Sequence, residues 1–215
     1  GHKMHVGEGG SQGGYAYRCD TGPAGATWFF KKPNAKDPWG IRVSVKALSR
    51  ALYGLGGTRA RIYAFLEGIG ARLAHKGESI GRVDYAVDLI MPDFTLIPQN
   101  MVMHSSMNRK DIEIAEFEDD PDLKQSNGTS GRFSSVTAGT MPGRQVIIYD
   151  KRAEVIKKNK VYWWESGNAW RRSAGLPELD RHDVQASRIW RVEVRAGKNA
   201  LKKQWGITTW EDLDR

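Results

Sequence analysis

The sequence carries a single cysteine, Cys19, among its 215 residues. That excludes an intramolecular disulfide and any cysteine-rich zinc site, and a reduced, cytoplasmic setting is expected. No apolar run approaches the roughly 20 residues a membrane-spanning helix needs, and no signal peptide is legible, so no membrane partner is expected. Histidine is scarce. His2 and His5 fall in a Gly-His-Lys-Met-His start that reads as a tag remnant. His75, His104 and His182 stand alone, so no His-hydrophobe-His pair of the kind that can hold a metal is present. There is no internal repeat and no convincing linker.

What is present fits a folded chain. It is 40% hydrophobic and 27% charged, a balance that argues against global disorder. The 33 Lys and Arg outnumber 25 Asp and Glu, for a formal charge of +8, which suits a polyanionic partner. Residues 1–27 are rich in glycine (Gly7, Gly9, Gly10, Gly13, Gly14, Gly22, Gly25) and read as a flexible, turn-dominated segment. Residues 28–215 then read as one α+β domain with a mostly antiparallel central sheet, flanking helices and the active site on the sheet face. Trp28–Phe30 and Ile41–Val45 suggest paired strands. Ser44 is the expected cap of a short helix closed by Gly54. Thr58 is the expected cap of a longer helix carrying Ile62, Phe65, Leu66, Ile69 and Leu73 and ending near Gly77. A strand is expected from Arg82 to Leu89, an ambiguous segment, in part helical, over 98–109, and a strand over 112–117. An acidic loop follows over 118–131. Phe133–Gly139 and Gln145–Tyr149 read as a hairpin turning through Met141-Pro142-Gly143. A helix is expected from Asp150, irregular chain over 163–187, and a last strand at 189–195.

Strand alternation gives the chemistry its first shape, because residues two apart share a face. Arg82, Asp84 and Asp88 fall on one side of their strand, with Val83, Tyr85, Val87 and Leu89 on the other as an expected core face. The last strand divides the same way: Trp190, Val192 and Val194 against Arg191, Glu193 and Arg195. Tyr149 ends the hairpin strand, just before Asp150-Lys151. Asp84 and Asp88 lie about 13 Å apart along a straight strand at ~3.3 Å per residue, so sharing one small site asks for a bend or a water-bridged role.

The succession Arg-Val-Asp-Tyr-Ala-Val-Asp (82–88), Val-Ile-Ile-Tyr-Asp-Lys (146–151) and Trp-Arg-Val-Glu-Val-Arg (190–195) resembles the rolling-circle replication initiators of plasmids and filamentous phages. That family is related to the relaxases of some integrative elements. The likeness spans about residues 80–213, including Trp205-Gly206-Ile207-Thr208-Thr209-Trp210. The chain departs from the family ahead of the tyrosine, where Thr137–Gly143 stands in place of an aromatic residue and a Gly-Ser-Arg-like turn. The resemblance implies that Tyr149 is a nucleophile and that Lys151 meets a phosphate. It also implies that Asp84, Asp88 and Glu193 hold Mg²⁺ or Mn²⁺, hard ions suited to carboxylate oxygens. Arg82, Arg191 and Arg195 are the expected DNA contacts.

The implied reaction is nicking and rejoining of DNA, at an origin or nick site that is single-stranded or an extruded hairpin. Attack by tyrosine gives a 5′-phosphotyrosyl enzyme and a free 3′-hydroxyl that primes rolling-circle replication. Host helicase and polymerase, and a second copy of the chain, are the implied partners. Tyrosine needs help for this step: with a reference pKa near 10, about one in a thousand is ionised at pH 7. Three alternatives stay open: a conjugative or mobilisation relaxase of the same chemistry, a DNA-binding module without catalysis, and a structural or capsid-associated basic protein, which would leave the strand carboxylates unexplained.

Overall fold

A computed structural model describes residues 5–11, 13–71, 77–102, 109–113 and 133–213. The chain divides into two compact units, Gly1–Arg72 and Leu73–Arg215. The expected flexible leader and single domain give way to this division, because the glycine-rich segment is itself built into the first unit. β1 (His5–Ser11) and β2 (Tyr15–Asp20) pair antiparallel. The glycines that suggested looseness include the turn between them, where Gly13 and Gly14 both take positive φ, 95° and 74°. Only glycine adopts two such angles in succession without strain.

β3 (Ala26–Phe30) and β4 (Ile41–Val45) complete a four-stranded meander in the order β1-β2-β3-β4. Tyr15, Cys19, Ala26 and Trp28 are buried, as alternation requires of a one-sided sheet. α1 (Ala47–Gly68) covers them: Phe65 stacks on Trp28 with ring centroids 4.1 Å apart, and Ile62 and Leu66 are buried. The two helices expected here run together across a break at Gly54 (φ 63°, ψ −168°), a conformation a side chain would strain. The first begins after Lys46 without a side-chain cap, rather than at Ser44. Thr58 is inside the second, fully buried, its hydroxyl donating to the Ser49 carbonyl at 3.3 Å. α1 ends at Gly68, short of Gly77; Leu73 lies outside the described residues.

The second unit is a five-stranded antiparallel sheet in the order β5-β9-β8-β7-β6. Its strands are β5 (Arg82–Ile90), β6 (Arg109–Glu113), β7 (Phe133–Gly139), β8 (Arg144–Asp150) and β9 (Ile189–Gly197). Among the described residues the segment over 98–109 supplies the 3₁₀ turn Pro98–Asn100 and the first residue of β6, while 103–108, the end of the expected strand past Glu113 and the acidic loop lie outside the described residues. The β7–β8 hairpin forms as read. Its turn lies against the end of β9, where Gly197 donates to the Gly143 carbonyl at 2.9 Å and a Cβ would stand 2.0 Å from the Pro142 oxygen.

α2 (Lys151–Lys157) starts at Asp150, whose carboxylate caps the Ala153 amide at 2.8 Å. The stretch expected to be irregular opens instead as α3 (Val161–Ser173). It has no side-chain cap and little intrinsic helical signal; burial of Trp164 against Val155 and Ile189 holds it, so tertiary packing overrides propensity.

The apolar face of β5 is a second correction. Val83 packs with Ala196, Ala200, Leu201, Ile80 and Ile207, but Tyr85, Val87 and Leu89 are exposed. β5 is the sheet's edge. The other apolar cluster on that face, Leu96 and Val136 around Trp190, recruits Met91, Phe94, Met101 and Ile148 but none of these three β5 residues.

Candidate active site

Strand register decides which of the expected residues meet. Across β5 and β9, Asp84 faces Arg195, Ala86 faces Glu193 and Asp88 faces Arg191. Across β9 and β8, Arg195 faces Gln145, Glu193 faces Ile147 and Arg191 faces Tyr149. Across β8 and β7, Tyr149 faces Ser135 and Ile147 faces Thr137. Paired residues in a ladder share a face. Arg82, Asp84, Asp88, Tyr149, Arg191, Glu193 and Arg195 therefore stand on one side of the sheet, all the expected site residues except Lys151.

On that face the acids hold arginines. Arg82 grips Asp84 through two bonds of 2.6 and 2.7 Å, and Arg191 grips Asp88 through the same two donors at 2.6 and 2.7 Å. Arg195 Nε donates to Glu193 Oε1 at 2.6 Å and its Nη1 reaches Gln145 Oε1 at 3.5 Å. These are charge-assisted contacts, and the first two have the fork geometry that makes arginine selective for carboxylate and phosphate. Three cations meet three anions, so the excess positive charge of the chain is not located among these six.

Tyr149 and Glu193 are the buried members, 9% and 6% exposed, and the Tyr149 hydroxyl donates to Glu193 Oε2 at 3.3 Å. Arg191 also hydrogen-bonds the phenol. Burial pushes the phenol well above its ordinary pKa; the Arg191 guanidinium opposes that rise, and Glu193 and Glu154 add to it. Arg191 is held the other way: burial alone would weaken its protonation, but Asp88 raises its pKa further above the ordinary value. Glu193 thus accepts the phenol's hydrogen bond, and the Arg191 cation acts on the same group.

Lys151 is the expected residue that stands off this face. It lies at the start of α2, buried, with its ammonium on Glu154, and Glu154 also holds Lys160. The ammonium is 5.9 Å from the Tyr149 ring centroid, so the lysine packs beside the tyrosine. Burial, with the Arg191 charge, depresses the Lys151 pKa. For Glu154, burial works to raise the pKa, and the hydrogen bonds and charges of Lys151 and Lys160 bring it below the ordinary carboxylate value. This buried cluster was missed from sequence because a Lys-x-x-Glu spacing on a helix is equally the mark of a solvated surface pair. Beyond it, Arg152, Lys160, Arg181 and His182 rim a cavity of 320 Å³ with Val155, Ile156 and Val161.

The donor chemistry of Asp84, Asp88 and Glu193 suits a hard divalent cation, but their placement does not. Glu193 lies diagonal to both aspartates, about 7–8 Å away between Cα atoms, and the guanidinium groups occupy the carboxylates. Among the described residues no three His, Cys, Asp or Glu side chains converge on a point where a metal ion fits. Compared with known protein families, the chain matches none. Compared with curated proteins, it matches none either.

Proposed function

We propose that this protein is a DNA strand-nicking and strand-joining enzyme with Tyr149 as its nucleophile, acting as a rolling-circle replication initiator. The observation that carries the reading is the Arg191–Tyr149–Glu193 contact on a polar sheet face: a phenol with a carboxylate on its proton and a guanidinium beside its oxygen. Tyr149 Oη attacks phosphorus in line, the phenol proton passes to Glu193, and the P–O3′ bond breaks. The 3′ oxygen takes a proton from water, leaving a 5′-phosphotyrosyl link and a free 3′-hydroxyl. Reversal of the step rejoins the strand without another energy source, because the phosphodiester is exchanged rather than hydrolysed. Arg191, Arg195 and Arg82 offer forks that a phosphate can take from Asp88, Glu193 and Asp84. Lys151 is left out of phosphate contact and assigned to shaping the tyrosine's surroundings.

Dependence on Mg²⁺ or Mn²⁺ is a separate part of the proposal and would require Asp84, Asp88 and Glu193 to leave their arginines. The second reading, a DNA-binding module without catalysis, is favoured by one observation: Tyr149 is buried with its pKa raised and every acid beside it is paired. Incubation with origin-bearing single-stranded or supercoiled DNA, with Mn²⁺ or EDTA, separates them. A denaturation-resistant protein–DNA adduct that is lost in Tyr149→Phe supports the enzyme, and its loss in EDTA supports the metal. Binding without any adduct supports the module.

A further inference from the structure

β5 is an edge strand, nine residues long and without proline, and every residue in it except Val83 is exposed. Tyr85, Val87 and Leu89, on one face, are 45%, 59% and 41% exposed, and Trp205, itself partly exposed, lies edge-on to Tyr85 at 6.0 Å. Among the described residues no strand pairs with its outer side. A long, apolar, unpaired edge is a template for another strand, and folded proteins usually blunt such edges.

We infer that β5 pairs antiparallel with β5 of a second copy, joining two five-stranded sheets into one. The inference is independent of the nicking reading. The argument is the charge pattern. A two-fold axis normal to the sheet keeps every side chain on its own face, so odd positions pair with odd and even with even. With Asp84 on the axis, the two Asp84 carboxylates face each other. With Ala86 on the axis, Asp84 faces Asp88 twice. Like charges directly opposite are destabilising, so both registers are disfavoured. With Val87 on the axis no ion pair forms, and with Val83 only Arg82–Asp84 overlap. With Tyr85 on the axis, Arg82 faces Asp88 of the other copy at both ends, Val83 faces Val87, and the two Tyr85 meet at the centre. Asp88 keeps Arg191, since a carboxylate accepts several donors. The one register that covers most of the strand and carries opposite charges thus also puts Tyr85 and Val87 into apolar pairs, with Leu89 beyond the overlap.

This arrangement has a geometric consequence. Both copies present their polar faces on the same side, with β8 third from the junction in each. Five inter-strand steps of about 4.8 Å separate the two Tyr149 by roughly 24 Å across the sheet; Tyr149 is level with Asp88, so an offset of about 20 Å along the strands brings the separation to roughly 31 Å.

The test uses the full chain without DNA. Residues directly opposite in an antiparallel ladder have Cα atoms about 4.5–5.5 Å apart, within disulfide range. Tyr85→Cys is therefore expected to give a covalent dimer under mild oxidation. Val87→Cys, whose copies lie about 13 Å apart along the strand, is expected to remain monomeric on the same gel. The native thiol, Cys19, is buried and serves as background. In sedimentation the wild type is expected at twice 24.1 kDa at high concentration. Arg82→Asp and Asp88→Arg should each weaken the dimer tenfold or more, and the double exchange should restore it. A chain that stays at 24.1 kDa with no Tyr85→Cys dimer overturns the inference. So does equal crosslinking of the two cysteine variants, or a double exchange no better than either single one.

Discussion

Replacing Glu154 with glutamine isolates the strongest buried electrostatic feature of the molecule. Glu154 is 5% exposed and faces the ammonium of Lys151, which is 4% exposed. Glutamine keeps the size and one acceptor but removes the charge that lets Lys151 stay protonated in a dry setting. Breaking such a pair from one side costs about 3–5 kcal/mol. A ceiling follows from titration, since the lysine can shed its proton instead. From a reference pKa of about 10.4, neutralising it at pH 7 takes ~3.4 units at 1.36 kcal/mol each, or about 4.6 kcal/mol. That ceiling falls by about 1.4 kcal/mol for each pH unit, so near pH 9 the loss should be no more than about 2 kcal/mol. Urea unfolding of wild type and Glu154→Gln at the two pH values gives both numbers, with an unchanged m-value confirming that only stability moved. Replacing Lys151 and Glu154 together by methionine and leucine should recover most of the loss. A loss below about 1 kcal/mol at pH 7, or one that does not shrink by pH 9, would refute the account of a buried, mutually dependent pair.

The wild type carries the acid side of the same linkage. The folded-state pKa of Glu154 is depressed, so its stabilisation is complete above the unfolded value of about 4.3 and is lost as pH falls through the folded value. Unfolding free energy measured downward from pH 5 should decline, and the decline should be smaller in Glu154→Gln. Asp150→Ala removes the α2 cap and should cost about 1 kcal/mol, read by denaturant unfolding. Arg195→Gln should weaken DNA binding uniformly across sequences and reduce the slope of log K against log salt by about 0.7 on single strands. An unchanged slope would remove Arg195 from phosphate contact.

Much of the site was legible because the β-strand period is strict. Alternation alone put Arg82, Asp84 and Asp88 on one face and Arg191, Glu193 and Arg195 on one face, and the hairpin fixed Tyr149 in phase with Gln145. The pairing of those faces was not legible, because strand order is a long-range matter that local pattern does not encode. The same limit explains Tyr85, Val87 and Leu89: apolar alternation marks a face that wants cover, and says nothing about whether this chain supplies it. The burial of Lys151 was hidden for a different reason. Its place after the tyrosine suggested phosphate contact, but the ammonium turns toward Glu154, three residues on in the same helical turn. The glycine-rich start misled because Gly13-Gly14 makes a hairpin turn as readily as a loose segment. α3 was hidden by aromatic residues and Gly167, and only the burial of Trp164 makes it a helix.

The measurement that bears most directly on Tyr149 as a nucleophile is mapping of a covalent protein–DNA adduct. After reaction with cognate DNA, nuclease trimming and proteolysis, mass spectrometry should find a nucleotide on the peptide containing Tyr149, attached through a 5′-phosphate. A nucleotide on another tyrosine, such as Tyr85 or Tyr162, would move the nucleophile off this sheet position and contradict the account.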